Sequence, residues 1–361
     1  MNQRNKSILV TGGAGFIGSH VCNELLSRGY RVIAVDMLSD YYSIHLKKLR
    51  MTSFDNHELF NFEKIDVSNS SSVDNLFSRY RFDGVIHLAA QAGVRLPLNE
   101  SGRYIESNIL GFYNIIINTI KSKIPSFVYA SSSSVYGETS PIPFSESSLI
   151  LTPKSFYGAT KLNNEQTARI LAAGSETSTR GLRFFTVYGP WGRPDMAYFR
   201  LMAASLGKHS FQLFGDGSVE RDFTYIDDVT KNTVDLYENL LSTKSQASDI
   251  VNIGGHRPLS MNFLVDLVQE ISGTKINVNQ VSSDKNDSKK TVDGIYFTTK
   301  FYNNDGELIS TKSESFNSSS LVDPIATGFT KKIARTPNIK GASKIAFVIN
   351  RVHSTDGSSC E

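Results

Sequence analysis

Short apolar runs alternate with amphipathic stretches over the first 130 residues. Ser7–Thr11 (SILVT) reads as a buried strand, and 16–28 follows with Ile17, Val21 and Leu25 at helical spacing until Gly29 stops it. Arg31–Asp36 is the next strand, 59–66 a third, 84–90 a fourth and 126–131 a fifth. Helical spacing fills 73–80 and 104–120 between them. Strands that are apolar throughout, separated by helices, predict a parallel sheet covered on both faces.

Further on, 156–173 reads as a helix ended by Gly174, 181–187 as a sixth strand, and 260–272 as a helix. The pattern changes near residue 283. From there to residue 361, 26 of 79 residues are Ser, Thr or Asn. In that tail 292–300 and 308–312 flank Asn303-Asn304-Asp305-Gly306, a hairpin-turn composition, and 343–353 is another strand candidate. The tail therefore reads as β-rich or partly disordered, unlike the α/β pattern before it. The expected organisation is a doubly wound nucleotide-binding domain over 1–180, a substrate-binding region over 181–282 interleaved with it, and an atypical tail over 283–361.

Composition narrows the function classes. The 361 residues carry 38 Lys and Arg against 35 Asp and Glu, a net charge of +3. That balance offers no basic stripe for nucleic acid and no polybasic membrane patch. Two cysteines, Cys22 and Cys360, make no disulfide framework. No apolar run approaches a membrane span, and the polar start, 1–7, leaves no room for a signal peptide; a cytoplasmic protein is expected. No metal site is expected.

The first chemical signal is SILVTGGAGFIG, where a strand enters a glycine turn and a helix leaves it. Gly13, Gly15 and Gly18 fit G-x-G-x-x-G, and Gly12, Gly15 and Gly18 fit T-G-x-x-G-x-x-G. One glycine permits the tight turn, one lets a pyrophosphate approach the backbone, and one lets helix pack on strand. Amides at the helix start then face phosphate. Asp36 stands 18 positions after Gly18, at the end of the second strand. A carboxylate there binds both ribose hydroxyls and repels a 2′-phosphate, which favours NAD over NADP. Phe16 and Ile17 in the turn, Asp66-Val67 at the end of the third strand and Ala89 at the end of the fourth complete the cofactor candidates. For Asp66 a helix N-cap is an equal alternative to adenine contact.

The second signal is Tyr157-Gly158-Ala159-Thr160-Lys161, a Y-x-x-x-K inside a helical stretch. The i, i+4 spacing puts both side chains on one face, and an ammonium near a phenol favours the phenolate. The pair follows a serine run, Ser131 to Ser134, that closes the fifth strand. Open α/β sheets place ligands at the carboxyl ends of their strands.

Residues 1–282 resemble the extended short-chain dehydrogenase/reductase family, and within it the UDP-glucuronate 4-epimerases. The stretches that carry the resemblance are TGGAGFIGSH, LAAQAGVR, SSSSVYG, SFYGATK, LRFFTVYGPWGRPDMA, FGDGSVERDFTYIDDV and VNIGG. The resemblance implies a Rossmann-type fold, bound NAD, a UDP-sugar substrate and a homodimer formed through the helices at 104–120 and 156–173. It implies Tyr157 as acid/base, Lys161 as its partner on the nicotinamide ribose, and Ser132 as the catalytic serine. Ser133 and Ser134 fall on the substrate side, and Asn108 at the family's helix asparagine, where a structural role is equally open. Thr186 and Arg193 fall around the sugar carboxylate, Arg221 on the nucleotide diphosphate, and Arg95 beside it as an assistant or a structural residue.

Ser133-Ser134 replace the Asp-Glu pair of family dehydratases, and Ser134 replaces the Glu usual in decarboxylating relatives. Both changes favour epimerisation. UDP-glucose and UDP-N-acetylhexosamine epimerases are the alternatives, and GRPDMA weighs toward the uronate. A nucleotide binder that has lost catalysis is the competing class, because 283–290 does not match the segment with which the family completes its nucleotide pocket.

Overall fold

The computed structural model describes residues 6–94, 96–138, 140–207, 209–242 and 248–281, together with the backbone of four strands in the tail. The chain runs β1 (Ser7–Thr11), α1 (Phe16–Ser27), β2 (Arg31–Asp36), α2 (Ile44–Met51), β3 (Phe60–Lys64), α3 (Ser70–Arg79) and β4 (Gly84–His87). A short α4 (Gly102–Tyr104) passes through a π-helical stretch (Ile105–Leu110) into α5 (Gly111–Lys121), followed by β5 (Ser126–Ser132) and α6 (Phe156–Ala172). Then come β6 (Ser178–Phe184), β7 (Thr186–Tyr188), α7 (Ala197–Ser205), β8 (Phe211–Phe214), β9 (Glu220–Tyr225), α8 (Ile226–Ser242) and β10 (Ser248–Ile253). The remainder is β11 (Pro258–Ser260), α9 (Met261–Ser272), β12 (Val278–Val281) and the tail strands β13 (Gly294–Tyr302), β14 (Leu308–Asn317), β15 (Ile345–His353) and β16 (Ser359–Cys360).

Contacts divide the chain into two units, 1–39 with 47–189 and 222–257, and 40–46 with 190–221 and 258–361. The first unit is built on a seven-stranded sheet in the order β10-β6-β5-β4-β1-β2-β3, with every neighbouring pair parallel. This is the doubly wound order with one further parallel strand at the β6 edge. The two-residue period of each strand sends its apolar side chains to two cores. Ile8, Val10, Val32, Ala34, Ile86, Val128 and Leu182 pack with Val21 and Leu25 of α1 and Val229 and Val234 of α8. Leu9, Ile33, Val35, Val85, Phe127 and Tyr129 pack on the other face with residues of α3, α5 and α6. Burial on both faces is why these strands read as unbroken apolar runs.

Differences from the sequence expectation include the unassigned α2, the π-helical stretch inside the helix expected at 104–120, several element ends and the region beyond residue 180. The third strand stops at Lys64, so Asp66 and Val67 lie in the loop after it. The Asp66 carboxylate accepts from the amide and hydroxyl of Ser68, and Asn69 caps α3. The 181–187 run splits at Phe185 into β6 and β7, and β7 pairs with β9 in parallel. In the second unit β12 pairs with β8, also in parallel. The tail strands form their own antiparallel sheet, ordered β14-β13-β15-β16. Among the described residues, no helix is long and apolar enough to cross a membrane.

Candidate active site

The glycine turn between β1 and α1 is held against β2, whose Val35 carbonyl accepts from the amides of Gly12 and Gly13 at 2.7 and 3.1 Å. Gly12 has φ +71°, and a Cβ there would stand 2.8 Å from the Ala89 amide nitrogen. A Cβ on Gly18 would collide with the Gly12 carbonyl. The turn and the first turn of α1 therefore close on each other only as glycine. Gly15 stands at the N-cap of α1, no side chain caps the helix, and its first turn holds no acidic residue. That leaves main-chain amides and the positive end of the helix dipole for a diphosphate. Asp36 ends β2 with Oδ1 accepting from the Leu38 amide at 2.8 Å. Ala89 is pinned by its amide to Thr11 Oγ1 at 3.1 Å, while Phe16 and Ile17 form the start of α1. Val67 is buried against Gly111, and its carbonyl accepts from Asn114. These residues fit a dinucleotide with unphosphorylated ribose hydroxyls.

At the carboxyl end of β5 the serine run turns into a short 3₁₀ segment capped by Ser132. The Ser132 hydroxyl donates to Ser134 Oγ and accepts from the Ser134 amide, each at 3.2 Å. Ser133 and Ser134 are half-buried in that turn. Helix α6 starts beside it: Ser155 caps the helix by accepting from the Gly158 amide, and a Cβ on Gly158 would meet the Ser134 carbonyl at 2.6 Å. Tyr157 is thus carried on the turn of α6 pressed closest to the serines. One turn later Lys161 is buried, with Nζ 2.9 Å from the Ala130 carbonyl and 5.7 Å from the centre of the Tyr157 ring. Burial pushes the Lys161 ammonium down to about 8.

Asn108 lies in the π-helical stretch and is buried. Its Oδ1 accepts from the Gln91 amide at 2.8 Å, and its Nδ2 donates to the Gln91 carbonyl and to Thr160 Oγ1. Thr160 in turn donates to the Tyr157 carbonyl at 2.7 Å, so Asn108 ties the segment after β4 to the turn that carries Tyr157. A local π-bulge is a frequent device for re-aiming one side chain at a functional site.

Thr186 opens β7 in the first unit, paired in register with Phe223. Arg193 and Arg221 belong to the second unit. Arg193 forms a two-pronged pair with Asp195, at 3.0 and 2.5 Å, and Asp195 also accepts from the Tyr41 hydroxyl. Its attraction to Asp195 overrides burial and holds the guanidinium well above its ordinary range. Arg221 donates to the Glu220 carbonyl at 2.8 Å. Arg95 lies outside the described residues.

Sequence reasoning missed two buried polar groups beside this site. His87, at the end of β4, bonds Thr11 Oγ1 through Nδ1 at 2.8 Å. Burial, and then the nearby Lys161 charge, push its imidazole down to about 3, so it is neutral at working pH. Glu165 and Arg183 form a buried pair. Only Glu165 carried a signal, at one further four-residue step along Tyr157 and Lys161 on the same helix face.

A dinucleotide turn at β1, an acidic residue closing β2 and a Tyr–Lys pair against the end of β5 define a nucleotide-dependent α/β enzyme. The chain belongs to the NAD dependent epimerase/dehydratase family, whose model matches residues 8–254. It is 38% identical over 297 residues to Protein CapI of Staphylococcus aureus, covering 79% of this chain and 89% of that one. It is 37% identical over 301 residues to the UDP-glucuronate 4-epimerase of Thermodesulfobacterium geofontis, covering 83% and 91%. Among solved structures it is similar to UDP-glucuronic acid 4-epimerase from Bacillus cereus in complex with UDP-glucuronic acid and NAD. That structure has a TM-score of 0.71 and 36% identity, over 79% of this chain and 89% of the other.

Proposed function

We propose that this protein is an NAD-dependent UDP-glucuronate 4-epimerase, interconverting UDP-glucuronate and UDP-galacturonate through a 4-keto sugar. The observation that carries the reading is Tyr157 paired with buried Lys161 at the carboxyl end of β5, in a chain whose glycine turn is closed for a dinucleotide. NAD, when bound, supplies a reversible hydride acceptor for C4 of the sugar. Gly12, Gly15, Phe16, Ile17 and Gly18 hold its diphosphate, Asp36 its ribose hydroxyls, and Asp66, Val67 and Ala89 border the rest.

Tyr157 takes the proton of the sugar 4-hydroxyl and returns it once the sugar has turned over. The Lys161 ammonium favours the phenolate that this requires. Ser132 holds the 4-oxygen by a hydrogen bond, with Ser133 and Ser134 lining the sugar side. Arg221 is the candidate for retaining the diphosphate while the sugar rotates, with Arg95 as an assistant or a structural residue. Thr186 and Arg193 are the candidates for the uronate carboxylate, which would have to displace Asp195 from the Arg193 fork.

Incubating purified protein with UDP-glucuronate, and separately with UDP-glucose and UDP-N-acetylglucosamine, tests the substrate by chromatography of the products. UDP-galacturonate is expected; its absence at high enzyme concentration would sink the reading. We also propose a cytoplasmic homodimer. Ile105, Leu110 and Tyr113 near α5 and Phe156 and Ile170 on α6 expose apolar surface that a second copy would cover. Light scattering on a sizing column tests it, with a monomer mass as the contrary result.

A further inference from the structure

Helix α6 grips two consecutive residues at the end of β5, one helical turn apart. Lys161 Nζ donates to the Ala130 carbonyl at 2.9 Å, and the Ser131 hydroxyl donates to Glu165 Oε1 at 2.5 Å. Tyr157, Lys161 and Glu165 follow each other at four-residue steps and so share a face. Glu165 is in turn held by Arg183, whose Nε reaches Oε1 at 2.9 Å and Nη2 reaches Oε2 at 2.8 Å. Both side chains are almost fully buried, at 3% and 4% exposure. Arg183 lies on β6 in register with Ser131, so the clamp closes across neighbouring strands. Its guanidinium also stands 4.6 Å from the centre of the Tyr136 ring, and the Tyr136 hydroxyl donates to Asn252 of β10 at 2.7 Å.

A buried ion pair is a poor source of stability, since an apolar pair of similar volume often does as well or better. Its value is geometric: a two-pronged, fully desolvated pair admits few orientations. Here the geometry it fixes belongs to the residue immediately before Ser132. We propose that Glu165, oriented by Arg183, is a positioning residue that acts through Ser131 to set the Ser132 hydroxyl against Tyr157. This rests on reading Ser132 and Tyr157 as the pair that handles the 4-hydroxyl.

Ser131→Ala cuts the link and leaves the Glu165–Arg183 pair whole. It lowers kcat about tenfold or more, as small misplacements of reacting groups do. KM, bound NAD and the thermal midpoint stay near wild type, and Ser131→Thr, which restores a hydroxyl, recovers most of the rate. The double variant Glu165→Leu/Arg183→Met removes the charges together, strands neither of them and takes away the Ser131 acceptor; it folds and is as slow as Ser131→Ala. Wild-type kcat in Ser131→Ala or in the double variant overturns the proposal, as does a loss confined to the thermal midpoint. Rates are compared on whichever of the three UDP-sugars the wild type turns over, so a different substrate counts against the functional reading and not against the clamp. Amide exchange over 130–135 in the NAD-loaded protein needs no turnover. It speeds up in Ser131→Ala if the clamp holds that segment, and unchanged exchange overturns the proposal.

Discussion

Lys161 stands one turn of α6 beyond Tyr157, with its Nζ 5.7 Å from the centre of the phenol ring and hydrogen-bonded to a main-chain carbonyl, that of Ala130. Among the described residues, no carboxylate within bonding distance offsets its burial. The ammonium is therefore costly to the fold and available to the phenol, and the two consequences can be measured separately. Tyr157→Phe is expected to lower turnover by at least ~10²-fold, the usual worth of a positioned acid/base, while NAD stays bound. Chromatographic product assays and the nucleotide released on denaturation check both halves.

Stability should carry the opposite sign. The folded value of Lys161 is about 8, below its ordinary 10.5, so the unfolded chain binds more protons between those limits. Wild-type stability therefore rises with pH from about 8 to 10.5, by roughly 3 kcal/mol from this group. Lys161→Met removes the slope and is more stable than wild type at pH 7, although nearly inactive. Urea titrations at a series of pH values decide it; a destabilised Lys161→Met would count against the burial argument.

His87 predicts a second window on the acid side. Its folded value of about 3 lies below the ordinary 6.5, so between those limits the unfolded chain takes up the extra proton. The stability it lends is complete above about 6.5 and is lost progressively as the pH falls toward 3, up to roughly 5 kcal/mol. His87→Asn can keep a polar contact to Thr11 and has no proton to gain. Its unfolding midpoint should vary less between pH 7 and pH 4 than that of wild type, as read by circular dichroism.

Asp36 closes β2 with one oxygen on the Leu38 amide. If its carboxylate holds the ribose hydroxyls, Asp36→Ala should weaken NAD by about tenfold or more, since hydrogen bonds to a charged group are worth ~1.5–3 kcal/mol. It should also admit NADP, whose 2′-phosphate the wild-type charge repels. Fluorescence titration with each dinucleotide gives the ratio, and an unchanged ratio would remove Asp36 from the cofactor site.

The nucleotide-binding half was legible because its physics is local. Strands buried on both faces read as apolar runs, and the glycines and Asp36 sit at fixed offsets from them. Helix α8 was not assigned from the sequence, although Ile226, Val229, Val234, Tyr237 and Leu240 are its buried apolar side chains. They become a face only against α1, where Arg28 reaches Asp235 and Glu238. The short strands β7, β8 and β9 draw their pairing from distant segments and carry no period long enough to read. The Glu165–Arg183 pair was invisible for the same reason: its partners lie on different elements, and their spacing obeys no local rule.

The tail strands form a sheet of their own. The family model ends at residue 254, and the tail strands β13 to β16 pair only with one another among the described residues. Cutting the chain after residue 282 therefore breaks no ladder of the seven-stranded sheet and leaves β12 paired with β8. A 1–282 truncation is expected to fold, to retain NAD at the wild-type ratio and to keep the Tyr157-dependent turnover. Any effect should fall on KM for the UDP-sugar, if the tail borders the nucleotide side of the site. Nucleotide content, kcat and KM measured side by side on the full chain and the truncation separate these outcomes. Loss of bound NAD on truncation would show that the tail supports the Rossmann sheet; a kcat that collapses at unchanged KM would show that it takes part in the chemistry.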